Sequence, residues 1–564
     1  MNQPGAYPTH DVINQPGVLE NYDAYSTDSA LRCAVAAQQA SATAASLQAY
    51  GKVVGSADTI ALGVQANRYC PELRTHDRFG HRIDQVEYHP AYHEIMRRAM
   101  RHQVHSMAWN WSEGSGAHVA HAALVYLHQQ AEAGTGCPLT MTHACVPSLR
   151  IQPELAERWL PKVLADTYDE RFMPVADKRS ATLGMAMTEK QGGSDVRANT
   201  TRAVPMSKAG AGQDYLLTGH KWFCSAPMSD AFLTLAQTEA GLSCFLVPRW
   251  WHGSPNRFFI QRLKDKLGNR SNASSEIEYE RTPATMIGEE GRGITAIMPM
   301  VALTRLDCAA GSAGLMRQAL VQAVFHARGR AAFGRKLIAQ PLMRNVLADL
   351  ALEAESAIML TLRVARSLDA SADESERLFA RIATAVAKFW VTRRAPRFIY
   401  EAMECLGGAG YVEESVLPRL YRESPLNSIW EGSGNVQCLD VLRAVTREPA
   451  VLDAVMARIE AVQGGDVQLD GLVRRIKASV SGAGVTEVGA RRWVEDLALT
   501  LSAGELIKHA PAAVAQAYCR TRLGADRSLE YGGLPADIPM DALLERVFPA
   551  FEVGSRKSGV GSQE

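Results

Sequence analysis

Glu431 is the residue whose surroundings best suit proton transfer. It follows Trp430 and precedes a Gly- and Ser-rich run that ends at Asn435. A carboxyl group held beside an aromatic side chain can have a raised pKa, which suits a general base. The run that follows predicts a helix start, whose free N–H groups and dipole bind phosphate. The alternative is a capped helix with a solvated Glu431.

Two other segments could contact a flat, polar ring system. The loop at 187–195, MTEKQGGSD, combines hydroxyl groups with two adjacent glycines, so its backbone can approach a ligand closely and donate hydrogen bonds. The segment at 221–225, KWFCS, ends a predicted strand with two aromatic residues and a hydroxyl group, which can stack on a ring and bond its edge. An ordinary turn and a core strand end are the alternatives.

A glycine-rich turn and an arginine complete these candidates. The sequence LGGAGY at 406–411 offers free backbone N–H groups to a phosphate. Arg330 lies in RGRAAFG at 328–334, directly after a long predicted helix, where it could clamp a phosphate. The alternative for Arg330 is a basic residue that favours the helix C-terminus.

The elements that must position these segments change character twice along the chain. Residues 1–180 are predicted to be mainly helical and without strands, with one capped helix from about residue 28 through Tyr50. Strands are then predicted from short β-type runs between turn residues, at 215–222, 231–236, 242–247 and 275–279. Apolar periodicity finally predicts a four-helix bundle, with helices at 294–328, 341–368 and 376–406 and a fourth starting near Glu431.

Composition limits the function classes. With 564 residues, 47% hydrophobic and 21% charged, the chain is long and apolar enough for several globular domains. Lys and Arg number 60, as do Asp and Glu, so a nucleic-acid or membrane partner would need a local patch. We find no apolar run near a membrane span in length and no signal-peptide pattern, and we expect a cytoplasmic protein. Ten cysteines without CxxC spacing fit a reduced compartment.

Several nucleotide and catalytic motifs are missing from the sequence. No GxGxxG follows a predicted strand and no GxSxG occurs, which argues against a Rossmann site and a hydrolase nucleophile. The run that starts at Gly329 resembles a phosphate-binding loop only in part, because Arg335 stands where lysine is required. His118 and His121 have helical spacing that could bind a metal, but core histidines are more common, and we expect no metal.

Taken together, these segments and the order of elements resemble the acyl-CoA dehydrogenase family. The signatures MTE…GGSD, RxxFG, GGxGY and WEGxxN occur in the family's order over residues 1–445. The resemblance implies a mainly α fold with an inserted β domain. It places an N-terminal helical domain at 1–180, a β-barrel-like domain at 181–290, a four-helix bundle at 291–445, an extra helical domain at 446–550 and a tail, which we expect to be disordered, at 551–564.

The resemblance further implies FAD, bound between the β domain and the bundle of a homotetramer in which a neighbouring subunit completes the site. By motif match, the flavin contacts from the β domain are Met187, Thr188, Gly193, Ser194, Phe223 and Ser225. The FAD contacts from the bundle, some of them to the partner's FAD, are Arg330, Phe333, Gly407, Gly408, Gly410, Trp430, Gly432, Ser433 and Asn435.

Glu431 stands at the position of the family's general base. In that role it removes the α-proton of an acyl thioester while the β-hydrogen leaves as hydride to the flavin. Some relatives place the base directly before an arginine of a bundle helix, and here that position is Thr304, which cannot serve. The resemblance therefore assigns catalysis to Glu431, with Arg305 near the flavin and the substrate pocket.

The extension after residue 445 is absent from short-chain members of the family. Longer motifs, such as LKDKLGNRSNAS and NSIWEGSGN, are similar to a branch that acts in the adaptive response to alkylating agents and whose extension is thought to bind duplex DNA. Clustered basic residues suit sequence-independent phosphate contact, although solvated helix faces are the alternative. The candidates are Arg474, Arg475, Lys477, Arg491, Arg492, Arg520, Arg522 and Arg527.

Within that leading hypothesis the protein either shields DNA or deactivates the alkylating agent, with at most weak acyl-CoA dehydrogenase activity. Two other functions stay open. One is a metabolic acyl-CoA dehydrogenase whose extension serves oligomerisation, and the other is an acyl-CoA oxidase that reoxidises its flavin with O₂.

Overall fold

The N-terminal region is helical, with one small hairpin. The computed structural model describes residues 9–114, 116–369, 373–481, 484–524 and 527–548, so the predicted tail at 551–564 lies outside the described residues. The helices of the N-terminal region are α1 (Ser29–Ala37), α2 (Ala44–Val54), α3 (Ala57–Arg68), α4 (Pro90–Arg101), α5 (Met107–Asn110), α6 (Ala117–Ala131), α7 (Gly136–Ala144), α8 (Val146–Arg150) and α9 (Pro153–Val163).

Two expectations for this region are wrong. The helix expected through Tyr50 is interrupted between α1 and α2, although Asp28 caps α1 as expected by accepting from Leu31 N at 2.9 Å. The hairpin β1 (Glu72–His76) and β2 (Arg82–Glu87) occurs where no strand was expected. Both faces of β1 are at least partly exposed and carry polar residues, so no apolar alternation marks it.

The middle region forms a closed β structure. Its strands are β3 (Leu183–Ala186), β4 (Arg202–Pro205), β5 (Asp214–Ser225), β6 (Ala231–Thr238), β7 (Gly241–Pro248), β8 (Trp250–Trp251), β9 (Ser254–Pro255), β10 (Phe258–Leu263) and β11 (Ser274–Ile287). Pairing runs β11–β5–β4–β6–β7 and returns to β11, so five strands close a ring, with β10 and β3 paired outside it. The predicted strands and the β-barrel-like fold are confirmed. Aromatic side chains fill the interior, among them Tyr215, Phe232 and Phe245.

The bundle begins with the long helix α10 (Gly293–Gly329). It continues through β12 (Ala331–Ala332), β13 (Arg335–Lys336), α11 (Pro341–Ser367), α12 (Glu374–Glu404), α13 (Gly408–Tyr411), α14 (Leu417–Glu423) and α15 (Gly434–Arg447). In the described part of the chain, α10 alone has the length and hydropathy of a membrane span, and 72% of its most apolar window is buried. Such burial is what the central helix of a bundle requires.

The extension packs onto this bundle through helices α16 (Ala450–Glu460), α17 (Val467–Ser481), α18 (Ala490–His509), α19 (Ala512–Tyr518) and α20 (Met540–Val547). Its buried apolar side chains belong to the same continuous core as those of α10, α11 and α12. Arg522, in the π-helical turn after α19, bonds Asp349 and Glu353 of α11, and Glu353 also accepts from Arg394 of α12 at 2.8 Å. Buried polar and apolar contacts therefore join the extension to the bundle.

Candidate functional site

A left-handed turn presents Glu431 between α10 and α12. Glu431 has φ +57° and Gly432 has φ +93°, so two consecutive residues adopt a conformation that disfavours side chains. The carboxyl Oε2 of Glu431 accepts a hydrogen bond from Thr304 Oγ1 at 2.7 Å. Thr304, at the position where some relatives carry the base, therefore orients the carboxyl group of Glu431.

Side chains hold each carbonyl oxygen of this turn. Lys388 Nζ donates to the carbonyls of Trp430 and Gly432, at 2.8 and 2.6 Å. Arg305 Nε donates to the carbonyl of Glu431 at 3.2 Å, and Gln437 Nε2 donates to those of Glu431 and Gly432. The structure thus brings Arg305 to Glu431, while its predicted place near the flavin stays a prediction, and it adds Lys388 and Gln437, which the sequence reasoning missed.

The charge balance at Glu431 is mixed. Burial raises the pKa of the Glu431 carboxyl, while the hydrogen bond from Thr304 and the positive charges of Lys388 and Arg305 act in the opposite direction. Arg305 is paired with Asp440 at 2.7 Å, so part of its charge is neutralised. A raised pKa favours proton uptake by a carboxylate, as a general base requires.

The predicted flavin loop is anchored by a buried ion pair. Glu189 and Lys221 lie 2.8 Å apart, and both side chains are fully buried. Glu189 also accepts from the backbone and hydroxyl groups of Thr200 and Thr201. The positive charge and hydrogen bond of Lys221, together with these threonine bonds, outweigh burial and hold the pKa of the Glu189 carboxyl well below the usual range. The residues between Glu189 and Thr200 are thereby fixed against β5. Sequence reasoning singled out this loop but not the pair.

The loop and the aromatic strand end lie side by side. Trp222 N donates to the carbonyl of Thr188 at 2.8 Å, which joins the two predicted segments. Phe223 is 50% exposed, and Ser194 is exposed beyond it. Ser225 Oγ lies 3.2 Å from Ser274 Oγ. Met187, Thr188 and Gly193 are half-buried. An exposed aromatic ring beside hydroxyl groups and glycine backbone matches the donor set that a flavin ring requires.

Cys224 points away from this surface. Its thiol is buried in the barrel interior, where burial raises its pKa to about 12. A thiol with so high a pKa is unreactive at neutral pH.

The glycine turn and the start of α15 are open in a way that fits a phosphate-bearing cofactor. A Cβ at Gly407 or Gly408 would meet no atom within 4 Å. Ser433 caps α15 without a side-chain hydrogen bond, so N–H groups at the start of this helix are left for an anion. Asn435, however, accepts from Arg491 Nε of the extension at 2.8 Å.

Gly410 differs from its neighbours. Its N–H donates to the carbonyl of Gly407, and a Cβ there would lie 2.2 Å from the carbonyl oxygen of Met403. Close packing therefore explains this glycine, and its N–H group is bonded within the turn, while its predicted contact with FAD stays a prediction.

Arg330 and Phe333 lie on a protruding turn between α10 and α11. Phe333 is 97% exposed with φ +49°. Arg330 Nη1 donates to the carbonyl of Asn14 and the side chain of Gln15. An aromatic ring so exposed has no role in this chain's own core, which fits the predicted contact with a neighbouring subunit.

The predicted DNA-binding residues divide into three groups. Arg474 and Lys477 lie exposed on α17, and Arg475 of α17 and Arg492 of α18 both reach Asp496. Arg491 of α18 and Arg527, which pairs with Glu495, extend this group, which we call the basic face. Arg520, in the turn after α19, pairs with Asp537.

Arg522 corrects the prediction. Its side chain is 12% exposed and bonded to Asp349 and Glu353, so it is not available to a DNA phosphate. The positions 520 and 522 looked alike in sequence, and only the packing against α11 separates them.

Comparison with known proteins agrees with this architecture. Residues 184–282 match the acyl-CoA dehydrogenase middle domain and residues 291–446 the C-terminal domain of the same enzymes, while residues 14–170 match the adaptive response protein AidB N-terminal domain. The chain belongs to the acyl-CoA dehydrogenase family, and it is an FAD-dependent oxidoreductase.

Individual relatives refine this assignment. The AidB protein of Escherichia coli (strain K12) is 46% identical over 91% of this chain and 94% of its own length. The crystal structure of Caenorhabditis elegans ACDH-11 in complex with C11-CoA has a TM-score of 0.83 at 26% identity, covering 97% of this chain and 98% of that one. An acyl-CoA dehydrogenase from Bacillus anthracis complexed with FAD shares the fold, with a TM-score of 0.63 at 15% identity, covering 76% of this chain and 80% of that one.

Proposed function

We propose that the protein removes an α-proton from an acyl-CoA thioester, with Glu431 as the base, in a reaction that forms an α,β double bond. The observation that carries this proposal is the half-buried left-handed turn, which directs the Glu431 carboxyl to Thr304 of α10. The complex of ACDH-11 with C11-CoA supports the thioester as the substrate class.

In the proposed step, Glu431 takes the proton from the α-carbon, and the electron pair of that C–H bond forms the new double bond. The β-hydrogen departs with its electron pair. Bound FAD supplies the acceptor for this hydride. Thr304 holds the carboxyl in position, and Arg305 and Lys388 balance its negative charge.

The residues that fit FAD are those of the two segments and the open helix start. Phe223, Ser225, Thr188 and the Gly193–Ser194 backbone would line the flavin ring, with Met187 behind it. Gly407, Gly408, Gly432 and Ser433 would hold the phosphate-bearing part. Arg330 and Phe333 would reach the FAD of a partner subunit. The proposed assembly is the homotetramer, a dimer of dimers, that the family resemblance implies.

Anaerobic mixing with an acyl-CoA tests the role of Glu431. Glu431→Gln should retain FAD but lose flavin bleaching by at least about 100-fold, since a general base contributes on the order of 10²–10⁴. Glu401→Gln is the matched control, because burial also raises the pKa of Glu401 while its side chain lies outside the turn. Bleaching by Glu431→Gln at the wild-type rate would remove Glu431 from the reaction.

We propose a second function from the basic face and from the match to the adaptive response protein AidB N-terminal domain. We propose that this surface binds duplex DNA without sequence preference, in an adaptive response to alkylating agents. The face gathers Arg474, Arg475, Lys477, Arg491, Arg492 and Arg527 from separate parts of the sequence. Asp496, Glu495 and Glu460 offset part of its charge, so we expect modest, salt-sensitive affinity.

Fluorescence anisotropy with a labelled duplex at two salt concentrations tests this second function. Arg474→Glu with Arg475→Glu should weaken binding strongly while the flavin spectrum stays unchanged. The matched control is Arg202→Glu with Lys208→Glu, which changes the net charge equally on an exposed part of the β domain. Equal affinities for the two double variants would exclude the basic face as the DNA site.

A further inference from the structure

Lys388 is a buried cation in the middle of α12. Its side chain is 1% exposed, although the helix segment around it is otherwise apolar. The ammonium group donates to the carbonyls of Trp430 and Gly432, the residues on either side of Glu431. Lys388 therefore binds the left-handed turn on both sides of Glu431, the residue that carries the carboxylate.

The turn needs these hydrogen bonds because its backbone is strained. A non-glycine residue at φ +57° persists only where its surroundings fix it. Gln437 also donates to two of the turn's carbonyls, which shows that a neutral side chain can supply these hydrogen bonds. Backbone support alone therefore does not explain a charged group at position 388, where burial disfavours the charge and lowers the pKa of the lysine.

The charged groups around Glu431 differ in how they are compensated. From α10 it faces Arg305, which pairs with Asp440 of α15, and Cys308, a thiol whose pKa burial raises to about 12. From α7 comes Cys137, also raised to about 12. Lys388 of α12 makes its hydrogen bonds to carbonyl groups, which carry no net charge. The acidic groups on which its positive charge acts are the thiol of Cys308 and the carboxyl of Glu431.

We propose that Lys388 is the positioning residue for proton abstraction: it fixes the turn through two carbonyls, and its charge keeps Glu431 in the ionised form that accepts a proton. The inference rests on the proposed role of Glu431 as base. It requires that removal of the charge moves the ionisation of Glu431 to higher pH, because a nearby cation favours the carboxylate.

Two variants separate the hydrogen bonds from the charge. Lys388→Met removes both, whereas Lys388→Gln keeps a donor without the charge. The rate of anaerobic flavin bleaching by an acyl-CoA is measured against pH. We expect Lys388→Met to lose about 100-fold at neutral pH and Lys388→Gln to recover much of the rate at alkaline pH, with the acid limb of both profiles moved by about one pH unit or more.

Arg377→Met is the control, because it removes a cation from the exposed start of the same helix, and its profile should match the wild type. FAD retention and the circular dichroism spectrum report folding. If Lys388→Met fails to fold, the shift in Lys388→Gln decides the question. An unchanged acid limb in a folded Lys388 variant overturns the inference.

Infrared spectroscopy gives a readout that needs no substrate. The carbonyl stretch of the protonated Glu431 carboxyl is isolated as the difference between a protein and its Glu431→Gln counterpart. The pH at which this band disappears should rise in both Lys388 variants. If an acyl-CoA does not bleach the flavin of the wild type, the proposed reaction is wrong, but the infrared band still tests the role of Lys388. An unmoved band overturns the inference whatever the activity.

Discussion

Two parts of the extension contain arginines that look alike in sequence but have different roles: the contact with α11, and the basic face. Arg522, at the contact with α11, lies between two carboxylates of that helix and is 12% exposed. Arg475, on the face, is 56% exposed and 3.5 Å from Asp496. An arginine bonded to buried carboxylates serves the fold, since leaving those charges unpaired is costly. An exposed arginine gains little from its ion pair and stays available to a ligand.

The largest change in stability that tests this contrast is expected at Arg522, where the extension contacts α11. Arg522→Gln leaves Asp349 and Glu353 buried with less compensation, so we expect it to lower the free energy of unfolding by about 3–5 kcal/mol. Urea denaturation measures the change. Arg520→Gln, two residues earlier and paired at the surface with Asp537, should change stability by less than about 1 kcal/mol. Similar losses in the two variants would contradict the contrast.

An intermediate effect is expected from acid. Arg394 and Arg522 hold the pKa of Glu353 at about 2, below its usual 4.5. Because this pKa is depressed in the folded protein, the stabilisation is present above pH 4.5 and is lost as the pH falls towards 2. The urea midpoint should therefore decrease over that window, and less steeply in Glu353→Gln. Equal slopes for both proteins would show that Glu353 does not carry this dependence.

The smallest effect on stability is expected on the basic face. Arg475→Gln should change the unfolding free energy by less than about 1 kcal/mol, because Arg475 is exposed and Asp496 keeps Arg492 as a partner at 3.3 Å. The same variant should reduce the salt dependence of duplex binding by about one unit of the logarithmic slope. An unchanged slope would place Arg475 outside the contact with DNA, and a large loss of stability would place it with Arg522.

Much of the fold follows from local sequence patterns. The bundle helices α10, α11 and α12 are apolar-periodic over long stretches, and the predicted strands lie within β5, β6, β7 and β11. The hairpin β1–β2 escaped prediction because its burial comes from distant contacts, such as Ile260 N to the Asp84 carboxylate. The closed ring of strands likewise depends on pairing between β7 and β11, which no local pattern reveals.

The candidate site was predictable where a motif marks it. Glu431 and the loop before β4 stand out by residue type and spacing, and the family resemblance points to Arg305. Lys388 and the Glu189–Lys221 pair depend on contacts between elements far apart in sequence. A single lysine within the apolar run of α12 was the available signal for Lys388. The extension also shows that a cluster of basic residues in the sequence does not by itself predict a binding surface, because Arg522 is largely buried and Arg475 is exposed.

Arg317 of α10 connects the start and the end of the described chain. It pairs with Asp28 at 3.0 Å and donates to the carbonyls of Thr27 and Val547. Thr27 and Val547 are 520 residues apart, and a ribosome adds roughly 5–20 residues each second. Thr27 is therefore synthesised roughly half a minute or longer before Val547. Contacts of such long range slow folding, so the nascent chain exposes part of its core until synthesis is almost complete.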